Sequence, residues 1–336
     1  MRSRRKSLGD ALLPDKIVRP VILSLAGPVF TDDEQALFRE FSPLGVILFA
    51  RNCESPDQLR RLTDAVHEAA GWQCPVLIDQ EGGRVQRLKP PIWRKYPPMK
   101  AFGDEVDTAE ERLRFTILQM AEELLECGIT VNCAPVLDVL TDQTHEAIGD
   151  RAFSVDPAIV ARLGQVVCEA FLSAGVTPVM KHLPGHGRAR SDSHKDLPHV
   201  ETEWVMLDAT DFAPFRAVSH ALAGRGVWGM VAHVVYDAID PVHPASVSPD
   251  VIQGVIRERI GFDGLLLSDD LDMAALAGYG DVAERARLTL GAGCDVALYC
   301  SGRRDDMVKI MEYVPKMTEK TRERLQNTAE LSRLRA

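Results

Sequence analysis

The stretch RPVILSLAGPVF, residues 19–30, decides the fold class. It opens with an apolar, β-branched run that reads as a strand buried on both faces, and it closes on Ala-Gly-Pro-Val-Phe. A doubly wound nucleotide-binding sheet would place a Gly-x-Gly-x-x-Gly turn after its first strand, and none is there. Working outward, seven similar runs come after it: LGVILFA near Leu44, CPVLID near Cys74, ITVNCAP near Ile129, VTPVMKH near Val176, VWGMVAH near Val227, GLLLSD near Gly264 and CDVALYC near Cys294.

Amphipathic stretches separate them, with helix starts at Thr31, Ser55-Pro56, Asp156-Pro157 and Ser248-Pro249. Stops fall at Gly71, Gly128, Gly175 and Gly261. Eight βα units predict an α/β protein with a single (β/α)8 TIM-type barrel. The expected organisation is an N-terminal tail over residues 1–16 and one catalytic domain over residues 17–336, its charged C-terminal helix packed outside the barrel.

Composition narrows the function. A chain of 336 residues with 46% hydrophobic content buries a large core, and its net charge of −10 argues against binding a polyanion. Seven cysteines, an odd number with no C-x-x-C pair, read as reduced thiols of a cytoplasmic protein. The basic start MRSRRKS is broken by Asp10, Pro14 and Asp15 before an export signal develops, and no run reads as a membrane span.

In a barrel the C-terminal ends of the strands share one mouth. Here they deliver Asp79 and Glu81, Asp138, Lys181 and His182, His233, and Asp269 and Asp270. Any one of these has a plain structural role open to it. Of the adjacent pair Asp269 and Asp270, one can face the barrel while the other caps the next helix, and alternation does not say which.

Beyond the fifth strand lies KHLPGHGRARSDSHKD, residues 181–196, in which Asp192 and His194 are close enough to touch in a turn. A carboxylate beside an imidazole orients the ring and stabilises its cation, which suits proton transfer. Gly185 and Gly187 read either as the permissive backbone of a moving loop or as a tight turn. A metal-dependent hydrolase using His182, His186, His194 and His233 is the alternative, although no compact ligand spacing supports it.

The motifs ILFARN at Ile47, IDQEGGRVQRL at Ile78, APVLDV at Ala134, IGDRAFS at Ile148, KHLPGHG at Lys181, DSH at Asp192 and SDDLDM at Ser268 run in order along most of the chain. Together they resemble glycoside hydrolase family 3, and within it the single-domain bacterial β-N-acetylglucosaminidases of peptidoglycan recycling. Leu183 stands where that family commonly has Phe.

The resemblance implies a nucleophile at Asp269, an acid/base dyad of His194 and Asp192, and sugar-binding roles for Asp79, Arg87, Arg151, Lys181 and His182. It further implies a retaining exo-β-N-acetylhexosaminidase acting on muropeptides, with no metal and no cofactor. The expected partner is the sugar substrate alone, with no nucleic acid and no membrane, for a monomer or weak homodimer in the cytoplasm.

Overall fold

The structure, a computed structural model, describes residues 18–193 and 195–333. The expected tail over residues 1–16 and the proposed acid/base residue His194 lie outside the described residues.

Eight parallel strands close on themselves in sequence order. They are β1 (Arg19–Ser24), β2 (Pro43–Leu48), β3 (Val76–Ile78), β4 (Val131–Asn132), β5 (Thr177–Leu183), β6 (Trp228–Val231), β7 (Leu266–Asp270) and β8 (Val296–Leu298). Ile22 of β1 registers with Gly45 of β2 on one side and Leu298 of β8 on the other, so no edge is left open. Every apolar run expected to be a strand contributes one. The hydrogen-bonded strands are shorter than those runs, down to two residues in β4, because each run continues into a connecting loop.

The expected helix starts carry caps. Thr31 and Glu34 form a reciprocal capping box on α1 (Asp32–Phe41); Ser55 caps α2 (Pro56–Ala70) and Asp156 caps α4 (Pro157–Ala174), with α3 (Val106–Glu126) between them. Gly71, Gly128, Gly175 and Gly261 all have positive φ, as helix stops should. One start differs in outcome: the segment after Ser248-Pro249, Asp250–Arg259, winds as a π-helix. Ser248 Oγ still accepts the Val251 N–H, so the cap survives where the helix type does not.

A second correction concerns α4, which at 18 residues is long and apolar enough to cross a membrane by length and composition. In the fold it is half buried, packed between α3 and α5 (Ala213–Ala221) and against β5. Its apolar character is that of a helix sandwiched between neighbours.

The outer layer is completed by α6 (Val282–Ala292), α7 (Arg304–Tyr313) and α8 (Glu319–Arg333). The charged tail does form a helix, and it packs at the N-terminal end of the barrel. Trp228 Nε1, at the start of β6, donates to Thr328 Oγ1 at 3.1 Å. Arg324 and Thr321 both bond Asp295, the residue before β8. All seven cysteines are free thiols.

Candidate active site

The polar strand ends converge at the C-terminal mouth in a cavity of about 170 Å³, bordered by Asp79, Glu81, Arg87, Arg151, Lys181, His182, Asp192, Asp269 and Asp270. Every residue given a site role from the sequence stands here except His194, which is outside the described residues.

Lys181 sits at the centre, its side chain 3% exposed. Its backbone is held by Pro135 O and Leu137 N from the β4 loop. Its Nζ reaches Asp79 Oδ1 at 2.9 Å and Glu81 Oε1 at 2.6 Å. Glu81 is also clamped by Arg151, Nε to Oε2 at 2.8 Å and Nη2 to Oε1 at 2.9 Å, a planar two-point pair. Arg87 Nη2 donates to Asp79 Oδ2 at 3.0 Å.

The loop that carries Arg87 is long but tightly folded. A hairpin of Gln80–Gly82 against Val85–Gln86 turns it, and the Gln80 side chain accepts the Arg87 and Leu88 N–H groups. Farther on, Tyr96 is buried and donates its hydroxyl to Glu123 of α3 at 2.9 Å.

These pairings fix the charge states. Burial works against an ionised Asp79, but Lys181 and Arg87 beside it hold its carboxyl well below the usual range. Burial likewise opposes charge on Glu81, and Arg151 and Lys181 bring it down to about 2. Burial also disfavours the Lys181 cation, yet Asp79 and Glu81 push its pKa above the ordinary value. The cavity is therefore lined with permanent, opposed charges, the donor and acceptor set that a polyhydroxyl ligand needs.

A second carboxylate organises the histidines. Asp138, fully buried, takes the ring Nδ1 of His182 at 2.7 Å and the backbone N–H of His186 at 2.7 Å. Burial would raise its pKa, and the His182 ring with the His186 N–H instead holds it at about 2. Arg151 Nη2 lies 3.4 Å from His182 Nε2. Arginine can only donate, so Nε2 is the acceptor and Nδ1 carries the proton toward Asp138.

The structure separates the two aspartates at the end of β7. Asp270 is bound to the backbone: its Oδ1 accepts the N–H groups of Asp272 and Cys300, and its carbonyl faces His233 Nε2 at 3.0 Å. Burial raises its pKa to about 6. Asp269 accepts the Asp270 N–H at 2.8 Å and borders the cavity.

The packing here bears on two readings left open by the sequence. Residues 180–187 are buried throughout, and a side chain at Gly187 would sit 1.9 Å from Val139 O. Gly185 has a φ of 142° and its carbonyl accepts the Tyr236 hydroxyl at 2.7 Å. These glycines permit close packing, the tight-turn reading, and no hinge is needed to explain them. Nor do the described histidines assemble a ligand set. Both ring nitrogens of His233 are engaged, by Ser246 and Asp270, and His182 lies between Asp138 and the Arg151 cation. Among the described residues no cluster of three or more His, Cys, Asp or Glu is arranged to hold a metal ion.

Sequence reasoning left Glu81 and Asp138 as strand-end acids without a role. The first neutralises two cations and the second orients two histidines. Their signal was burial at a strand end, which composition does not reveal. Phe49 was also missed: its ring lies under the Arg51 and Arg87 guanidinium groups at 4.8 and 5.2 Å.

Such a barrel, with opposed charges around a sugar-sized mouth and a strand-end carboxylate, has the features a glycoside hydrolase needs, and comparison supplies the family. The glycosyl hydrolase family 3 N-terminal domain matches residues 22–333, and the chain belongs to that family. It is similar to the β-hexosaminidase of Aromatoleum aromaticum, 39% identical over 315 residues, which cover 91% of this chain and 86% of that one. Among solved structures, NagZ from Neisseria gonorrhoeae in complex with N-trifluoroacetyl-D-glucosamine superposes with a TM-score of 0.84 at 33% identity, covering 94% of this chain and 91% of that one. A family 3 β-N-acetylglucosaminidase from Paenibacillus sp. str. FPU-7 gives the same TM-score at 31% identity; this chain spans 61% of its length. The protein is an enzyme of the β-hexosaminidase type.

Proposed function

We propose that this enzyme is a retaining, exo-acting β-N-acetylhexosaminidase. It removes terminal non-reducing N-acetylglucosamine from muropeptides such as GlcNAc-1,6-anhydroMurNAc-peptides, in peptidoglycan recycling in the cytoplasm. The observation that carries the reading is the convergence of Asp269 with the Asp79, Glu81, Lys181 and Arg151 network on one cavity; Asp270 borders it too, but its Oδ1 is taken by two backbone N–H groups.

In this mechanism the Asp269 carboxylate attacks the anomeric carbon, the bond to the leaving oxygen breaks, and His194 gives that oxygen its proton. Water then adds to the glycosyl ester while His194 takes the proton back, which frees Asp269 and restores the β configuration. Asp192 orients the imidazole and stabilises its cation. Asp79 is suited to two sugar hydroxyls: each of its oxygens has one protein partner, and a carboxylate oxygen accepts about two hydrogen bonds. Lys181, Arg87, Arg151 and His182 supply the remaining polar contacts.

The test is hydrolysis of 4-nitrophenyl N-acetyl-β-glucosaminide beside the plain β-glucoside, with EDTA present. The expected result is acetamido-selective release that Asp269→Ala reduces at least about 10⁴-fold. A slow 2-fluoro glycosyl donor should leave its adduct on Asp269. An adduct on Asp270, or activity lost to EDTA and restored by metal, sinks the assignment. Mass spectrometry of digests of a GlcNAc-anhydroMurNAc-peptide tests the natural substrate.

A further inference from the structure

Between the buried KHLPGHG loop and the dyad segment stands one side chain that the mechanism does not use. His186 is 3% exposed, and its Nε2 lies 3.2 Å from the hydroxyl of Ser193, itself 4% exposed. Ser193 falls between Asp192 and His194 in sequence. The other ring nitrogen of His186 has no hydrogen-bond partner among the described residues, so Ser193 is where the polar function of this ring is directed.

The base of this contact is rigid. The His186 N–H is held by Asp138 at 2.7 Å, the carboxylate that also fixes the ring of His182. Tyr236 grips Gly185 O, Thr144 Oγ1 donates to Gly187 O at 2.7 Å, and Arg188 pairs with the buried Asp211 at 2.6 Å. Ser193 is held from a second side as well: its carbonyl accepts the N–H of Ala275, in the segment after β7. The residues on either side of this anchor differ. Asp192 borders the cavity, while Lys195 and Asp196 are exposed.

We infer that the His186–Ser193 hydrogen bond is a latch that holds the dyad segment against the barrel mouth, making His186 and Ser193 positioning residues for acid/base transfer. The inference rests on the dyad reading above. One end of the latch is tied through Asp138 to the sugar-binding His182, and the other end falls in sequence between Asp192 and His194. The Ala275 contact ties the same residue to the segment after the strand of Asp269, so one serine relates the acid/base segment to both other parts of the site. Because burial keeps the His186 pKa down at about 4, the ring is a neutral hydrogen-bonding group over the working range.

A latch that sets geometry affects the proton-transfer step and leaves sugar binding alone. Ser193→Ala keeps the backbone contact to Ala275 and removes only the hydroxyl. For a GlcNAc disaccharide with a poor leaving group, kcat should fall about tenfold to a hundredfold, with KM nearly unchanged. For a 2,4-dinitrophenyl donor, whose departure needs no acid, kcat/KM should stay within about threefold of wild type. Ser193→Thr retains the hydroxyl and should restore the disaccharide rate. Adding His186→Ala to Ser193→Ala should cost nothing further, as for two ends of one bond.

Ser193→Ala with unchanged kinetics, equal losses on both donors, or fully additive losses in the double variant overturn the latch. His194→Ala run alongside separates the two claims. If it discriminates between leaving groups and Ser193→Ala does not, the latch fails and the dyad stands. If His194→Ala does not discriminate either, the dyad reading fails and the latch with it.

Discussion

Asp79 at the mouth of the barrel, partly exposed, and Asp295 at its opposite end, buried, are both carboxylates paired with two cations, yet their surroundings differ. Asp295 accepts four hydrogen bonds, from Arg257, Arg324, Thr321 and the Leu266 N–H, which fills the capacity of both oxygens. Among the described residues Asp79 accepts two, from Lys181 and Arg87, one on each oxygen. The first set ties α8 to the strands β7 and β8 and leaves nothing for a ligand. The second is equally anchored but half used. A charge closed by the protein serves the fold, and one left open toward a cavity is suited to a ligand. Size alone misleads here: a hollow of about 380 Å³ lies beside α8 at the bottom of the barrel, while the chemistry collects in one of about 170 Å³.

Exchanging these aspartates for alanine should give opposite phenotypes. The largest effect is expected for Asp79→Ala, which on the proposed function removes two charged hydrogen bonds to substrate and should lower kcat/KM about 10²- to 10⁴-fold. Lys181 retains Glu81 in this variant, so the melting temperature should stay near wild type. A protein that unfolds on this change would make the mouth network structural and erase the contrast.

Asp295→Ala should do the reverse. It leaves Arg257, about one-tenth exposed, without its carboxylate, while Arg324 keeps Asp263 at 2.6 Å, at a cost of roughly 3 kcal/mol in stability. The fraction that remains folded should keep its kcat, measured below the lowered melting point. A specific loss of kcat in well-folded protein would mean that the bottom network reaches the active site.

Acid should weaken the mouth first. In the unfolded chain His186 takes a proton near pH 6.5, but in the fold only near 4, so stability is lost as pH falls through that interval. Glu81 and Asp138 come next: ordinary values of 4.5 and 3.8 are held at about 2, so their stabilisation is present above pH about 4.5 and disappears toward 2. Urea titrations across pH should show both stages, and His186→Asn should flatten the earlier one. An unchanged slope in that variant would remove His186 from the account.

The smallest effect sharpens the other side. Thr328→Val leaves the buried Trp228 N–H without its acceptor and should cost about 1–2 kcal/mol with activity untouched. A change in kinetics would contradict the separation of the two ends.

Much of this arrangement was legible in advance, for specific reasons. The strands announce themselves because both faces of a parallel barrel are covered, which makes each an unbroken apolar run. The caps at Thr31, Ser55 and Asp156 are local chemistry and need no tertiary context. The site residues were legible where they stand at strand ends, since the barrel sends every such end to one rim. The π-helix after Pro249 was not, nor was the burial of α4, because helix type and lateral packing depend on neighbours distant in sequence.

The sequence by itself determined the barrel, the family, and which polar residues reach the mouth, because each arises from local periodicity or from motifs written in order along the chain. Only the tertiary structure decided how those residues divide the work. Asp269 and Asp270 are adjacent and alike in type, yet Asp270 takes its backbone N–H groups from the loops after β7 and β8, Asp272 and Cys300, while Asp269 takes that of its own neighbour. Asp79 and Asp295 both flank buried strands; what distinguishes them is the number of partners that the folded chain brings to each. Hydrogen-bond saturation is a property of groups far apart in sequence and close in space, and it exists only once the chain has folded.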